Sequence, residues 1–290
     1  MLSFSDDLSD CKCKWTYAMK TIRRVIFNGN QKVLIGENSN YFDEEGKKIA
    51  LLDFEHLSPI IPQVIACVHL NYRSRLEELG RSQPEAPTYF LKPVSCINGH
   101  MNDVIRPASC KFLNYEGEIA LVVGKTAKNI KLEKANDYIL GYTIANDFGL
   151  HDFRETDENS MVRVKGSDTL GCVGPELFIG WDYRDKFIKT FVNDEVVQES
   201  NTNDMMWSPE YLLSDLSRSI TFEEGDIILT GTPSNSRPVE PGSVVKVEVE
   251  GLGVLQNKIV EGRDSFLKGY GAQPNDTEHI RSVSLGSDNK

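Results

Sequence analysis

The sequence predicts an α+β fold in which β-strands dominate and the sheet rolls up on itself. Two observations lead there. Short apolar runs recur along the chain with turn residues between them, the pattern of many strands at close spacing. Stretches with the three-to-four periodicity of an amphipathic helix are few. The length of 290 residues allows one large domain, or a large one with a small one.

The elements follow in order. Arg24–Phe27, the turn Asn28-Gly29 and Lys32–Ile35 read as a hairpin, because Asn-Gly between apolar runs is a strong local signal. A polar turn at Asp43–Gly46 leads to a run at Lys48–Leu52, and Pro59 and Pro62 close the unit. Residues 19–62 therefore form a small N-terminal β subdomain, preceded by a flexible extension at 1–18. The main β-roll domain spans 63–267, and 268–290 is a polar, loosely held tail. Within the roll, Val64–Val68 is a buried strand leading into Asn71-Tyr72. Arg73–Leu79 is a short helix with Leu76 and Leu79 on one face and Gly80 at its C-cap. Tyr89–Leu91 is a short strand before Lys92-Pro93. Further strands fall at 115–124, 139–147, 176–180, 187–193, 226–230, 244–249 and 253–260. Asn193-Asp194 is another hairpin turn, and helices cover about 131–137 and Pro209–Ser219, the latter capped by Ser208.

Composition narrows the partners. Hydrophobic residues make up 40% and charged residues 26%, as in folded soluble proteins. With 32 Lys and Arg against 43 Asp and Glu, the net charge is −11. Such a chain suits neither a nucleic-acid backbone nor an anionic membrane surface. No run approaches the ~20 apolar residues of a membrane span. The acidic start MLSFSDDLSDCKCKW lacks the apolar core of a secretory signal. Six cysteines without zinc-site spacing suit reduced thiols, and a cytoplasmic protein is expected.

The stretch Asn114–Lys125 carries the chemistry. Glu116 and Glu118 are two apart, so on a strand they share a face. Alone, such a pair is more often a solvated edge. A third carboxylate, Asp147, ends the apolar run Tyr142–Asn146, where it must be paired or bound to a cation. Three carboxylates without Cys or His suit a hard cation, Mg²⁺ first, with Mn²⁺ or Ca²⁺ as alternatives.

Several motifs in order resemble the fumarylacetoacetate hydrolase family. They are Asn71-Tyr72, Phe90–Pro93, Tyr115–Glu118, Gly141-Tyr142 to Asn146-Asp147, Lys165–Thr169, Val192–Glu195, Glu224–Asp226 and Thr230–Pro233. The resemblance covers about residues 19–262 and is nearest the 2-hydroxyhepta-2,4-diene-1,7-dioate isomerase branch. It implies a mixed β-roll, a homodimer and a divalent metal held by Glu116, Glu118 and Asp147. It also implies a small carboxylic acid as substrate, in the breakdown of aromatic compounds.

The resemblance gives further residues their roles. Lys165 matches a lysine beside the metal, where a cation would stabilise an enolate. Lys92 is a candidate to hold a substrate carboxylate. Thr232, in its Gly-Thr-Pro turn, matches a carboxylate contact, although Gly and Pro already explain the turn. The following Ser234–Arg237 departs from relatives, and Arg237 is a candidate replacement cation. Hydrolytic and decarboxylating relatives commonly carry a histidine three residues after the Asn-Tyr tyrosine and a glutamate one turn on. Here those positions are Arg75 and Glu78. On a helix the two can meet, either as an ordinary surface ion pair or as a proton-carrying glutamate beside an arginine that grips a carboxylate. His151 and Arg154, four and seven residues after Asp147, would share its face on a helix, and His151 is not read as catalytic.

The expected activity is keto–enol isomerisation of a 2-oxo or 2-hydroxydienoic acid through a metal-bound enolate. Arginine stays protonated and cannot activate water as a general base, which argues against histidine-dependent hydrolysis. The rivals are C–C bond hydrolysis of acylpyruvates or fumarylpyruvate and decarboxylation of oxaloacetate. A non-catalytic metabolite-binding protein is the alternative of another class.

Overall fold

The computed structural model describes residues 19–37, 40–50, 54–262 and 269–286. The expected extension at 1–18 and Leu51-Leu52 of the second apolar run lie outside them.

The chain opens with β1 (Lys20–Phe27), β2 (Asn30–Glu37), β3 (Asn40–Phe42), β4 (Lys48–Ile49) and β5 (Glu55–Leu57). Asn28 and Gly29 both take positive φ, 52° and 75°, which fits the tight turn that pairs Phe27 with Asn30. Next come β6 (Ile65–Val68), α1 (Arg73–Glu78), β7 (Tyr89–Lys92), β8 (Ile97–Asn98), β9 (Asp103–Arg106), β10 (Leu113–Asn114) and β11 (Gly117–Val123). Then follow β12 (Ile139–Asp147), β13 (Gly149–Leu150), α2 (Arg154–Asp157), α3 (Val162–Gly166) and β14 (Gly171–Ile179). The last elements are β15 (Phe187–Val192), β16 (Glu195–Asn201), α4 (Pro209–Ser217), β17 (Ile227–Leu229), β18 (Val244–Val249), β19 (Gly253–Glu261) and α5 (Glu278–Leu285).

Two large sheets hold most of these strands, while β10 and β13 pair on their own. One runs β4-β3-β2-β1-β14-β12-β11-β17-β6-β7, with β5 added to β1 and β8 to β14. The other runs β16-β15-β18-β19-β9. Most pairs are antiparallel, while β17–β6, β14–β8 and β19–β9 are parallel, so the sheets are mixed. All seven residues of β11 are buried. A strand covered on both faces reads as a continuous apolar run, and Ile119, Leu121, Val122 and Val123 supply it. Each such side chain contributes roughly 1.5–3 kcal/mol on burial, before entropy is counted.

The structure departs from the expectations in four places. β1 pairs with β14, so the N-terminal strands extend the main sheet instead of standing apart as a subdomain. The strand expected at 176–180 begins at Gly171, because Gly171, Gly174 and Pro175 masked its start. The helix expected near 131–137 is a 3-10 helix, Leu132–Tyr138. The tail expected to be loose carries α5, with Ile280, Val283 and Ser284 buried. Among the described residues no helix is long and apolar enough to cross a membrane.

Candidate active site

The site grows from the paired ends of β11 and β12. Gly117 sits opposite Asn146, and the Asp147 amide donates to the Glu116 carbonyl at 2.9 Å. Asn146 Oδ1 accepts the Glu116 amide at 2.8 Å and keeps the ladder in register past the strand end. Strand parity then turns Glu116 and Glu118 to one side and Gly117 to the other. On that other side the second sheet presses close. A Cβ at Gly117 would overlap the Thr190 hydroxyl and lie 3.1 Å from Val247 Cγ1, so glycine is required there. The Glu116, Glu118 and Asp147 carboxylates offer ligand oxygens within 4.8 Å of one another.

Two lysines meet this cluster. Lys165 comes from α3, where its Nζ lies 2.7 Å from Glu116 Oε2 and 3.1 Å from Asp147 Oδ2. It also donates to the Asp147 carbonyl at 2.7 Å. Lys92, at the end of β7, is fully enclosed; it pairs with Asp147 Oδ1 and donates to the Leu170 carbonyl at 3.1 Å. It thus faces Asp147 from inside the fold, although the sequence made it a candidate for a substrate carboxylate.

Three carboxylates against two ammonium groups leave negative charge in a buried place. Burial, then Asp147 and Glu116, push the Glu118 carboxyl well above its ordinary value, despite the Gly231 amide that donates to Oε2 at 2.6 Å. Burial would raise Glu116 as well, but Lys165 and then His151 outweigh it and hold that carboxyl low. A divalent cation would relieve the strain on Glu118, and all-oxygen donors suit a hard cation. The residues therefore fit a metal ion.

A second cluster surrounds Glu78. Arg75 is buried and pairs with Glu78 Oε2, so this is no surface ion pair. Arg237 Nη1 lies 2.6 Å from Glu78 Oε1, and the Asn235 amide donates to Oε2 at 3.1 Å. Burial would raise the Glu78 carboxyl, but Arg75 first, then Arg237 and the Asn235 amide, bring it below the ordinary value. The segment 230–237 connects the two clusters, since Gly231 binds Glu118 and Asn235 binds Glu78. Between them, the Thr232 hydroxyl accepts from Gln198 Nε2 at 3.1 Å.

The model of the fumarylacetoacetate (FAA) hydrolase C-terminal domain matches residues 64–260. The chain belongs to the fumarylacetoacetate hydrolase family. It is 38% identical over 195 residues to an Escherichia coli protein named 4-hydroxyphenylacetate degradation bifunctional isomerase/decarboxylase. That match takes in 66% of this chain and 45% of the relative, so it spans under half of the bifunctional protein. A solved structure of a Mycobacterium smegmatis 5-carboxymethyl-2-hydroxymuconate delta-isomerase superposes with a TM-score of 0.76 at 32% identity, over 84% of this chain and 100% of that one. A Mycobacterium marinum 2-hydroxyhepta-2,4-diene-1,7-dioate isomerase structure gives 0.77 at 30%, over 84% and 99%.

Within this family fold, Asp157 and Gln198 join the site without having been singled out, and His151 stands at its edge. Asp157 caps α3: its Oδ2 accepts from the Arg163 and Val164 amides, the latter at 2.9 Å, and its Oδ1 holds Arg163 Nη1 at 2.7 Å. Gln198 accepts from the Thr190 hydroxyl at 2.8 Å and donates to Thr232, tying the second sheet to the turn. Its strand, Glu195–Asn201, is mostly polar, so nothing local set Gln198 apart as its one buried residue. His151 Nε2 lies 3.9 Å from Glu116 Oε1 and is buried without a hydrogen-bond partner. The helical spacing that would have set it on the face of Asp147 does not occur. The chain leaves β12 for β13 and a 3-10 turn, His151–Phe153, so Asp147 and His151 do not share a helix face.

Proposed function

We propose that this chain isomerises a 2-hydroxydienoic acid to its 2-oxo tautomer, using a divalent cation at Glu116, Glu118 and Asp147. Mg²⁺ suits the site best, because a hard ion that keeps exchangeable waters leaves room for substrate oxygens. When bound, the cation supplies Lewis-acid polarisation of the 2-oxo group.

The chain's own residues do the rest. Lys165 places positive charge beside the carboxylate cluster, where it favours negative charge developing on the substrate oxygen. Thr232 accepts from Gln198, which leaves its own hydroxyl proton to give to the substrate carboxylate. Glu78 carries the proton between substrate carbons, and Arg75 steadies both Glu78 and a substrate carboxylate. Lys92 offsets the charge of Asp147 from within. One observation carries the choice of reaction: Glu78 lies between two guanidinium groups, with no imidazole among the described residues beside it to deprotonate water. A carboxylate so placed can take and return a proton, while neither arginine can act as a base.

Ultraviolet-monitored turnover tests this. Conversion of 2-hydroxyhepta-2,4-diene-1,7-dioate should need added Mg²⁺ or Mn²⁺ and stop with EDTA, while the fold persists. Faster cleavage of acylpyruvates would overturn the choice of isomerisation. Decarboxylation is the second reading, favoured by the double name of the E. coli relative. Carbon dioxide release from a 2-oxo acid carrying the extra carboxylate would reveal it.

A further inference from the structure

We infer that α5 belongs to the frame of the active site: its last residues seat Arg237 against Glu78 and thereby set how firmly α1 is held. The inference rests on the proposed function only in giving Glu78 a proton to carry. Arg237 is then a positioning residue, and α5 the element that positions it.

The helix is clipped at both ends to segments that approach the site. At its start, the Thr277 hydroxyl accepts the Ile280 amide at 3.2 Å and donates to Glu155 Oε1 at 2.6 Å. Just before it, the Asn275 amide donates to the Asp152 carbonyl at 2.9 Å, next to His151. At its end, the Ser284 carbonyl accepts from Asn114 Nδ2 at 3.0 Å, and the same amide group reaches the Ser236 hydroxyl at 3.3 Å. Asn114 is fully buried and lies two residues before Glu116. The family match ends at residue 260, so α5 is an addition to the matched domain.

The decisive contact follows the helix. Gly286 has φ 75° and ψ 173°, a region that only glycine enters readily. A Cβ there would lie 2.5 Å from Arg237 Cζ and 2.9 Å from Nη1, and would overlap Nη2. The guanidinium therefore packs directly on the Gly286 backbone. It lies just past a helix C-terminus, where exposed carbonyls carry partial negative charge that favours a cation. From that seat Arg237 Nη1 reaches Glu78 Oε1 at 2.6 Å, while Arg75 and the Asn235 amide hold Oε2. Movement at the end of α5 is transmitted to the residue that faces the substrate.

Gly286→Ala tests this, because the methyl group displaces a flexible guanidinium and strains a backbone suited to glycine, and both effects fall at the end of α5, away from the sheets. Amide exchange in the protein without substrate should quicken by ~5-fold or more at 73–79 and at Asn235, and stay unchanged in β11 and β12. In turnover, Gly286→Ala and Arg237→Met should each lower kcat by ~5-fold or more, and the double variant should be no worse than either. The acidic limb of the kcat profile should also move to higher pH in both, since Glu78 then keeps Arg75 and the Asn235 amide but loses its second guanidinium, with the Tyr115 phenol nearby. If Gly286→Ala misfolds, Thr277→Ala weakens the far end of the helix instead, and exchange at 73–79 should still rise. Unchanged exchange in α1, or additive losses in the double variant, would overturn the inference. Faster exchange together with no isomerase turnover in the wild type would leave it standing and sink the proposed function.

Discussion

Lys165 Nζ lies 2.7 Å from Glu116 Oε2 and reaches Asp147 through both its side chain and its carbonyl. One ammonium group thus touches two of the three clustered carboxylates. It both lowers their mutual repulsion and marks where negative charge on a substrate would settle.

Replacing that lysine should separate the two roles. Lys165→Met should lower kcat by ~10²-fold or more, the scale of one lost electrostatic contact to a developing anion. Mg²⁺ should still bind, measured by calorimetry, because a cation repels the ammonium group it would then replace. Retained kcat would show that Lys165 only balances charge.

Asp157 should act through Lys165. It caps the α3 amides with a buried carboxylate. Asp157→Ala should lower stability by ~1–2 kcal/mol, the usual cost of a lost cap, and reduce kcat more than it raises KM. Asp157→Asn keeps one acceptor oxygen and should recover part of kcat. Equal losses in both variants, seen in melts and kinetics, would leave Asp157 as a fold residue alone.

The site was legible where backbone geometry fixes direction. Two-residue spacing gave Glu116 and Glu118 a common side, and an apolar run ending in a carboxylate exposed Asp147. Lys92 was visible as a residue but not as to which side of Asp147 it faces, because that depends on β6 and β7 joining the sheet beyond β17. α3 was hidden because its cap stands at Asp157, across a turn where Glu158 and Met161 take φ of 50° and 57°. α5 was hidden because Ile280 and Val283 are few apolar residues in a polar stretch. The pairing of β1 with β14 is a contact across more than 150 positions, beyond what local pattern can report.

Stability should fall with acid through a histidine pair that joins the N-terminal strands to the second sheet. The His56 and His100 rings meet edge to face at 4.9 Å, and His100 Nδ1 accepts the Gln256 amide at 3.0 Å. Burial first, then His56 and Arg23, bring His100 down to about 4 from 6.5. Above pH 6.5 folded and unfolded chains both hold it neutral. Between that value and about 4 only the unfolded chain takes the proton, so stability is lost as pH falls. The loss should be on the order of 1–2 kcal/mol, allowing for the ring's partial exposure. Melts from pH 7 to 4.5 should drop less steeply for His100→Leu than for the unaltered chain.

The last expectation separates proton transfer from hydrolysis at Glu78. Arg75 and Arg237 keep its carboxyl below the ordinary value, so it is ionised at neutral pH and loses its charge only as pH falls through that lowered value. Activity that depends on it should therefore persist into mildly acidic solution. Glu78→Gln keeps the shape and removes the proton carrier. It should retain Mg²⁺ binding and the melting profile but lower turnover by ~10²-fold or more, since positioned proton transfer contributes ~10²–10⁴. Arg75→His then asks a different question. An imidazole titrates near neutrality and can activate water, whereas a guanidinium cannot. If the missing imidazole is what bars hydrolysis, this variant should gain acylpyruvate cleavage while losing isomerisation. If instead the unaltered chain already cleaves acylpyruvates rapidly, Arg75 is no barrier, another group supplies the base, and isomerisation is the wrong reaction for this site.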